Sequence, residues 1–566
     1  MKRTLAVTVL LLASGLLAVG CDEAPVVRSP GSGGSAAGGA ASGGLPRVLV
    51  GGLSGPWQLT WGPDNFLWVT EQTGKRITRI NPDGGSSSDV VDLPDAYSTG
   101  AEDGLLGMAF GLGALYVAYD YNAAASPAVD LRGKIVRYSY DQSAASLTNP
   151  VEVLTGLPAS TSNTGGRLAF GPDQKLYLTV GDQGNNAYDR ACLPIRSQDL
   201  PTAPQVSARD WGSYAGKVLR LNPDGGIPSD NPLIRGVRSH IFSYGHRNPE
   251  GLAFGANGQL YSTEQGPKTD DEINLLRGGR NYGWPFVAGY RDDQAYRYAN
   301  WSAARGCAQL GYNDADIPAA VPRGPAETAW NSPDYVEPLK TLYTVPNGYN
   351  FADSACAPDF DRCWPSVAPS SLAYLPADTP DPALANSLLV PSLRNGSVYA
   401  LKLSQDGNSV QGDALRLFRT HNRYRDIAVS PDHTRIYLAT DNTGQGGARP
   451  DEQTGPLDNP GCILEFALTA PLDSPRPLTG PSPTPNAPAP QLSPTTTAPT
   501  TAPTSTTAPP SSRSAPPTGT FAPRGSSPRS PAPSVPAAPG TGNPLLPPLT
   551  PSGPSDDPSF STPPSQ

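Results

Sequence analysis

The chain has 566 residues and is acidic, with 41 Lys and Arg against 50 Asp and Glu and a formal net charge of −9. An acidic chain without a run of Lys or Arg argues against nucleic acid as a partner. Its 60 Gly and 66 Pro are unevenly spread, so the length overstates the folded part.

The N-terminus has the features of an export signal. Lys2 and Arg3 precede an apolar run, 5–19, that is too short to cross a bilayer comfortably. The small residues before Cys21 resemble a lipoprotein processing site, so we interpret 1–21 as an export signal or lipoprotein-like segment. A lipid on Cys21 would anchor the mature chain to the outer face of a membrane, and cleavage to a freely secreted protein is the alternative. Both alternatives are extracytoplasmic.

Two segments have compositions that cannot form a core. Residues 22–46 are rich in Gly, Ser and Ala and predict a flexible tether. Residues 471–566 are almost entirely Pro, Ser, Thr, Ala and Gly and predict a disordered tail. The folded domain is therefore predicted over 47–470.

Six cysteines in an exported chain favour disulfides. Cys356–Cys363 would close a short loop and is the expected local bridge, and Cys192–Cys307 is a second candidate pair. If Cys21 carries lipid, Cys462 is left alone in an apolar strand pattern. Sequence alone does not determine the connectivity.

A strand pattern recurs six times along the folded domain. It is clearest from Leu59 (LTWGPDNFLWVTE), from Leu168 (LAFGPDQKLYLTVGD) and from Leu252 (LAFGANGQLYSTE). Each copy has two β-rich runs joined by turn residues, and an alternating strand such as GKVLRLNPDG follows. Six such copies without helical periodicity predict an all-β fold, a six-bladed β-propeller. A β-sandwich is the alternative, but it would not need six equivalent copies.

Five copies carry a carboxylate at the same position of the repeat. We expect these side chains to gather around one mouth of the central channel, where they would favour a cation or a polyhydroxylated ligand. The residues are Glu71, Asp120, Asp182, Glu264 and Asp441.

The stretch from Tyr244 to Asp271 concentrates polar groups on both sides of one strand pattern. Arg247 and Asn248 precede the strand, and a Gln-Gly-Pro step follows it. A guanidinium suits carboxylates, and carbonyls of a Gly-Pro step suit a hard cation. The pattern favours an anionic ligand held beside a metal; two ordinary polar loops are the alternative.

The motifs GHRNPEGLAF, EQGPKTDDEINLLRGGRNYGWP, CWPSVAPSS and HNRYRD occur in this order. With them, the chain from Gly52 to Phe466 resembles the soluble, pyrroloquinoline quinone (PQQ) dependent enzymes of the glucose/sorbosone dehydrogenase family. The resemblance implies a propeller that binds PQQ and Ca²⁺ at the channel mouth. It also implies oxidation of an aldose, or a similar hydroxyl compound, to its lactone, with hydride passed to the quinone and electrons to an external acceptor.

The resemblance also assigns individual positions. It places at the cofactor Arg247, Asn248, Gln265, Trp364, Arg394, Arg423 and Arg425. It assigns the cofactor-bound calcium to the carbonyls of Gly266 and Pro267. It assigns further calcium to Glu272, Ala288, Tyr290, Asp292 and Glu327; surface carboxylates without a metal are the alternative. Arg394 stands where the family has Lys, which keeps the charge but changes the geometry.

One departure from the family bears on catalysis. Asn163 stands where the resemblance implies a general-base histidine, oriented by an aspartate that is Asp182 here. An amide cannot accept a proton at working pH, whereas imidazole titrates near neutrality. Glu102 replaces a glutamine that faces the substrate, and we hypothesise that Glu102, or Asp182, acts as the base.

Two further functions compete with a dehydrogenase. The first is a catalytically impaired surface propeller that binds PQQ or a saccharide, which Asn163 favours. The second is a wall-associated scaffold whose functional part is the tail. A neutral change at a wet mouth is the alternative to Glu102 acting as the base.

Overall fold

The computed structural model describes residues 46–314, 316–356, 364–444 and 455–468. The predicted export segment, the predicted tether before residue 46 and the predicted tail lie outside the described residues. The described part of the chain has no helix that is long and apolar enough to cross a membrane.

The described chain forms six four-stranded antiparallel sheets, arranged as blades 1 to 6. The first strand in the chain, β1 (Arg47–Val50), belongs to blade 6. Blade 1 consists of β2 (Pro56–Trp61), β3 (Leu67–Glu71), β4 (Arg76–Ile80) and β5 (Ser87–Asp92). Blade 2 consists of β6 (Leu105–Gly111), β7 (Ala114–Asn122), β8 (Leu131–Asp141) and β9 (Ser146–Pro158).

Blade 3 carries a long insertion between its third and fourth strands. Its first three strands are β10 (Gly165–Phe170), β11 (Leu176–Val180) and β12 (Lys217–Leu221). A short helix, α1 (Ala203–Ser207), precedes β12, and the insertion holds the hairpin β13 (Leu233–Ile234) and β14 (Val237–Arg238). The blade ends with β15 (Ile241–Tyr244).

The remaining blades follow the same order from the channel outward. Blade 4 consists of β16 (Pro249–Phe254), β17 (Leu260–Glu264), β18 (Asp271–Leu276) and β19 (Lys340–Leu342). Blade 5 consists of β20 (Ala373–Leu375), β21 (Ser387–Pro391), β22 (Val398–Lys402) and β23 (Leu415–Leu417). Blade 6 consists of β24 (Tyr424–Val429), β25 (Arg435–Thr440), β26 (Ile463–Ala467) and β1. Single 3-10 turns lie at Tyr188–Arg190, Trp301–Ala303, Cys307–Gln309, Glu327–Ala329 and Ser354–Cys356.

The ring closes because the first strand pairs with the last. Arg47 lies opposite Glu465 and Val48 opposite Leu464, so β1 completes blade 6 from the other end of the domain. Closure leaves short edges and ties the two ends of the folded domain together. The prediction of an all-β, six-bladed propeller is confirmed.

The second strand of each blade is apolar on both faces because it lies between neighbouring blades. β3 (LWVTE), β11 (LYLTV) and β21 (SLLVP) are buried at every position. Apolar side chains of adjacent blades pack into shared clusters, so the hydrophobic core runs around the ring and not through its axis.

The first strands line the channel, and in five of them a register shift marks a bulge near the mouth. Arg167, beside the bulge of β10, forms a salt bridge at 3.0 Å with Asp426 of β24. It also donates hydrogen bonds to the carbonyls of Glu250 and Ser370. Since blades 3 and 6 lie on opposite sides of the ring, Arg167 crosses the channel and gives it a polar floor.

The disulfide predictions have mixed outcomes. Cys192 and Cys307 are bonded, as predicted. Cys356 is also disulfide-bonded, but its predicted partner Cys363 lies outside the described residues. The prediction that Cys462 stays alone is wrong, because Cys462, buried at the start of β26, is disulfide-bonded as well.

Candidate active site

Asp182 lies directly after β11 and is buried. Its Oδ1 accepts hydrogen bonds from Nδ2 of Asn163 and the main-chain amide of Gly184, both at 2.9 Å. Its Oδ2 accepts one from Nε1 of Trp284 at 2.8 Å. Burial raises the pKa of Asp182, while Arg247 and these donors act in the opposite direction. The carboxylate is therefore held in one orientation by three donors.

Asn163 joins Asp182 to Glu102. It lies in the loop before β10 with a left-handed backbone (φ 47°), and its main-chain amide donates to Oε2 of Glu102 at 2.5 Å. Glu102 is partly exposed, whereas Asn163 is buried. Burial raises the pKa of Glu102, and Arg425 and Arg247 oppose the rise. The three predicted catalytic positions thus form one contiguous group.

The loop between β15 and β16 carries Arg247 next to this group. The carbonyl of Arg247 accepts a hydrogen bond from the main-chain amide of Asp182 at 2.7 Å. Its main-chain amide donates to Oε1 of Glu264, and its Nη1 donates to the carbonyl of Gln265 at 3.1 Å. The predicted cofactor residues Arg247 and Gln265 are therefore brought together beside Asp182.

Asn248 is fully buried and retains an unused acceptor. Its Nδ2 donates to Oε1 of Glu250 at 2.9 Å, while its Oδ1 has no hydrogen-bond partner. Oε2 of Glu250 also has none. Buried acceptors without partners are uncommon, and they mark places where a ligand or water completes the network.

Arg423 and Arg425 share one carboxylate. Both donate to Asp441, with the shortest contacts at 3.0 Å and 2.8 Å. Asp441 therefore supplies a counter-charge to this pair of predicted cofactor residues. Arg423 also donates to the carbonyl of Leu393 at 3.0 Å, which places it beside Arg394.

The Gly266-Pro267 turn is tightly packed against the residues that follow it in the chain, Thr269 to Asp271. The amide of Gly266 donates to Oδ1 of Asp271 at 3.0 Å, and a Cβ on Gly266 would lie 1.9 Å from the carbonyl oxygen of Thr269. Only glycine fits there. Trp364 lies nearby, with Nζ of Lys268 5.8 Å from its ring centroid.

The predicted calcium positions form a second cluster beneath this turn. Oε1 of Glu272 accepts from the amide of Gly289 at 2.7 Å, and Oε1 of Glu327 accepts from the amide of Ala288 at 3.0 Å. The carbonyl of Tyr290 accepts from the amide of Asp292 at 2.9 Å. The atoms of this cluster that could bind a metal are all oxygens, which matches the ligand preference of Ca²⁺.

The cluster also contains Asp270, which the sequence did not single out as a ligand. Burial, with the neighbouring carboxylates of Asp292 and Asp271, raises the pKa of Asp270 to about 7. Burial, with Asp292 and Asp270, raises the pKa of Glu327 to about 8. Negative charge is thus crowded here. In the described part of the chain, however, no three side chains of His, Cys, Asp or Glu form a metal-binding group by themselves.

The five carboxylates of the repeat have different partners. Asp182 and Glu264 both contact Arg247, and Asp441 binds the arginine pair. Glu71 instead binds Arg76 of its own blade at 2.8 Å, and Asp120 accepts from the amide of Gly104 at 3.3 Å. The prediction that all five gather at one mouth therefore stays a prediction for Glu71 and Asp120.

His246 supports the site but was not predicted from the sequence. Its Nδ1 is 2.8 Å from Oε2 of Glu264, and its Nε2 is 2.8 Å from Oγ of Ser243. Burial lowers the pKa of His246 to about 3, so the imidazole is neutral. His246 directly precedes Arg247 in the GHRNP motif, and this position was the sequence signal that could have identified it as a site residue.

Comparison with known proteins agrees with this arrangement. The family model described as Glucose / Sorbosone dehydrogenase matches residues 53–310 and 344–447. Quinoprotein glucose dehydrogenase B of Acinetobacter calcoaceticus is 42% identical over 435 residues, which cover 75% of this chain and 91% of that protein. An aldose sugar dehydrogenase of Escherichia coli is 26% identical and covers 70% of this chain and 90% of its own length.

A solved structure agrees as well. The PQQ-bound form of an aldose sugar dehydrogenase from Streptomyces coelicolor has a TM-score of 0.50 and 25% identity, covering 74% of this chain and 96% of that one. The chain belongs to the glucose/sorbosone dehydrogenase family.

Proposed function

We propose that this protein is an extracytoplasmic, PQQ- and calcium-dependent dehydrogenase that oxidises an aldose, or a similar hydroxyl compound, to its lactone. The observation that carries the proposal is the position of Glu102. Its carboxylate, held by the amide of Asn163, faces Arg247 and Arg425 at the channel mouth. A potential base thus adjoins the residues proposed to bind the cofactor, and the two relatives named above are called glucose and aldose dehydrogenases.

Four guanidiniums would hold the cofactor. Arg247, Arg394, Arg423 and Arg425 would gather at the mouth. Asp441 pairs with two of them, Arg423 and Arg425. Guanidiniums bind carboxylates through charge-assisted hydrogen bonds, so a multiply charged anion would suit this group. Asn248 and Gln265 would add amide contacts, and Trp364 an aromatic wall. When bound, PQQ supplies the quinone that takes up two electrons as a hydride.

Calcium would occupy two places. At the cofactor, the carbonyls of Gly266 and Pro267 would bind it. In the second cluster the carboxylates of Glu272, Asp292 and Glu327 would do so together with the carbonyls of Ala288 and Tyr290. Glu272 and Glu327 are buried, whereas Asp292 is exposed. The crowding of these negative charges supports the second site, because a divalent cation would relieve their mutual repulsion.

Glu102 would take the proton of the anomeric hydroxyl. The hydrogen on the anomeric carbon leaves with the electron pair of its C–H bond and passes to the oxidant. The bond between that carbon and its hydroxyl oxygen becomes the lactone carbonyl. Arg247 and Arg425 favour the ionised form of Glu102 that the step requires. Asp182 would position Asn163, whose amide orients the base.

A second function is supported by the same residues. The side chain of Asn163 is bound to Asp182 and cannot accept a proton, as the expected histidine would. Loss of a general base typically lowers the rate by a factor of about 10²–10⁴. If Glu102 does not replace it, the protein is a surface propeller that binds PQQ or a saccharide without turnover.

One experiment separates these functions. The full chain is reconstituted with PQQ and Ca²⁺, and the quinone absorbance is followed while a panel of aldoses is added. A spectral shift followed by bleaching, with lactone as product, is expected for the enzyme. A shift without bleaching would identify the binding protein, and no shift would contradict both proposals.

The location follows from the N-terminal segment. We propose that a lipid on Cys21 holds the protein at the outer face of the membrane, where an external acceptor would reoxidise the cofactor. Radiolabelled palmitate should enter the wild-type chain and not the Cys21→Ser variant, which should appear in the medium. Release of both proteins without label would indicate a freely secreted enzyme.

A further inference from the structure

A polar groove of about 670 Å³ opens next to the candidate active site. One wall is the segment 158–161, which continues into the loop that carries Asn163. The carbonyl of Thr161 in this wall accepts a hydrogen bond from the amide of Glu102 at 3.3 Å. A ligand with one end at Glu102 can therefore continue into the groove.

The groove has an unsatisfied acceptor in its lining. Gln183 follows Asp182 directly and is buried, with 3% of its surface exposed. Its Nε2 donates to the carbonyl of Gly181 at 2.8 Å, but its Oε1 has no hydrogen-bond partner. A buried acceptor of this kind calls for a donor, and a sugar hydroxyl is one.

The lining of the groove also contains Arg190, which has no salt-bridge partner among the described residues, together with the carboxylate of Asp210. Arg132 pairs with Asp130 at 3.0 Å. The Nε and Nη2 atoms of Arg190 donate only to Oδ1 of Asn185, at 3.1 and 2.9 Å. No carboxylate of the described residues lies within salt-bridge distance of Arg190. Because its guanidinium matches a carboxylate in charge and in geometry, the missing partner is an anion on the ligand.

The size of the groove exceeds what one hexose requires. Its volume lies within the range of about 300–1,000 Å³ that is common for small-molecule sites, and it leaves room for more than one sugar ring. We propose that the groove binds a uronate residue linked through a glycosidic bond to the aldose that is oxidised at Glu102. This inference rests on the proposed function and extends it to acidic disaccharides.

The first test measures binding without turnover. The full chain is titrated calorimetrically with the methyl glycoside of glucuronosyl-glucose and, separately, with that of neutral glucosyl-glucose. Neither ligand can be oxidised at its blocked anomeric carbon. We expect the acidic ligand to bind at least about tenfold more tightly, the gain of a charge-assisted contact. Equal affinities would overturn the proposal.

Variants assign the preference to Arg190. Arg190→Gln should reduce the preference to near unity, and Arg305→Gln, an exposed arginine that does not line the groove, should keep it. Arg190→Lys keeps the charge without the planar fork and should retain part of the preference. If Arg190→Gln fails to fold, the binding preference of Arg190→Lys tests the assignment instead. A full preference in Arg190→Gln, or none in a folded Arg190→Lys, would contradict the assignment.

A second test uses the PQQ-loaded enzyme and the unblocked disaccharides. The ratio of kcat/KM for the acidic over the neutral disaccharide should be about ten in the wild type and near one in Arg190→Gln. If the protein oxidises no aldose, the proposed function fails, while the calorimetric preference still tests the groove. If it oxidises both disaccharides equally well, only the groove assignment fails.

Discussion

The main-chain amide of Asn163 donates a hydrogen bond to Oε2 of Glu102 at 2.5 Å. The side chain of the same residue donates to Oδ1 of Asp182 at 2.9 Å. A single asparagine thus connects two carboxylates at the channel mouth, one partly exposed and one buried. The partly exposed carboxylate is the one that substrate can reach.

Replacing Glu102 by Gln should lower kcat by a factor of about 10²–10⁴, because the amide keeps the shape but cannot accept a proton. The measurement is the rate of quinone bleaching by glucose in PQQ-loaded protein. Glu152→Gln, on the outer strand β9, is the matched control and should retain the wild-type rate. Unchanged turnover in Glu102→Gln would exclude Glu102 as the base.

The pH dependence of kcat should report the same group. Burial raises the pKa of Glu102, so the carboxylate becomes protonated at a higher pH than an ordinary glutamate. Only the ionised form accepts a proton, and the rate should therefore fall as the pH decreases through that raised pKa. A rate that stays constant down to about pH 4 would contradict this assignment.

Asn163→His should increase turnover by about tenfold or more, because an imidazole at this position can accept a proton. One ring nitrogen would donate to Asp182 in place of Nδ2. Histidine tolerates the left-handed backbone of residue 163 better than most residues. Steady-state kinetics of the loaded variant check this. A variant that binds PQQ with wild-type affinity but turns over no faster would refute it.

Calcium should raise the thermal unfolding midpoint by several degrees. A ligand at about one hundred times its Kd stabilises the folded state by about 2.7 kcal/mol. Differential scanning fluorimetry with and without Ca²⁺ measures the shift. The double variant Glu272→Gln/Glu327→Gln should lose most of it, whereas Glu152→Gln should not. Mg²⁺ should have a smaller effect, since it needs a tighter octahedral site. An equal shift in the double variant would place the calcium elsewhere.

Arg167→Met should destabilise the fold by about 3–5 kcal/mol, because it leaves Asp426 buried without its counter-charge. Urea denaturation followed by tryptophan fluorescence gives the change. Arg132→Met removes a salt bridge whose partners are 41% and 50% exposed and should cost about 0.2–1 kcal/mol. Equal losses in the two variants would show that the channel floor does not depend on this pair.

The structure brings two of the predicted cofactor residues together, whereas the carboxylates of the repeat have different partners. Arg247 and Gln265 lie on two loops of blade 4 that the repeat itself brings together. Glu71, in contrast, occupies the repeat position of Asp182 but binds Arg76 of its own blade. The repeat specifies the position of a side chain on its strand, and the neighbouring strand determines which partner that side chain binds.

The paired charges at the mouth and floor could not be read from the chain. Arg425 and Asp441 are 16 residues apart, and Arg167 and Asp426 belong to opposite blades. Asp270 belongs to the crowded carboxylate cluster because the loop that contains Gly289 packs against it. Arg425 of β24 and Asp441, which follows β25, belong to one hairpin of blade 6, so their contact depends on strand register, whereas the Arg167–Asp426 pair depends on the ring.

The sequence by itself determined the six-fold repeat and the order of the motifs, because strand periodicity and turn residues are local properties. Through the family resemblance, it also predicted that Asn163 stands at the position of a general-base histidine. The tertiary structure decided that Glu102 lies against Asn163, that Asp441 neutralises part of the arginine cluster and that Cys462 is bonded. These contacts join residues that are not neighbours in the sequence, and strand pairing, burial and charge select them only in the folded propeller.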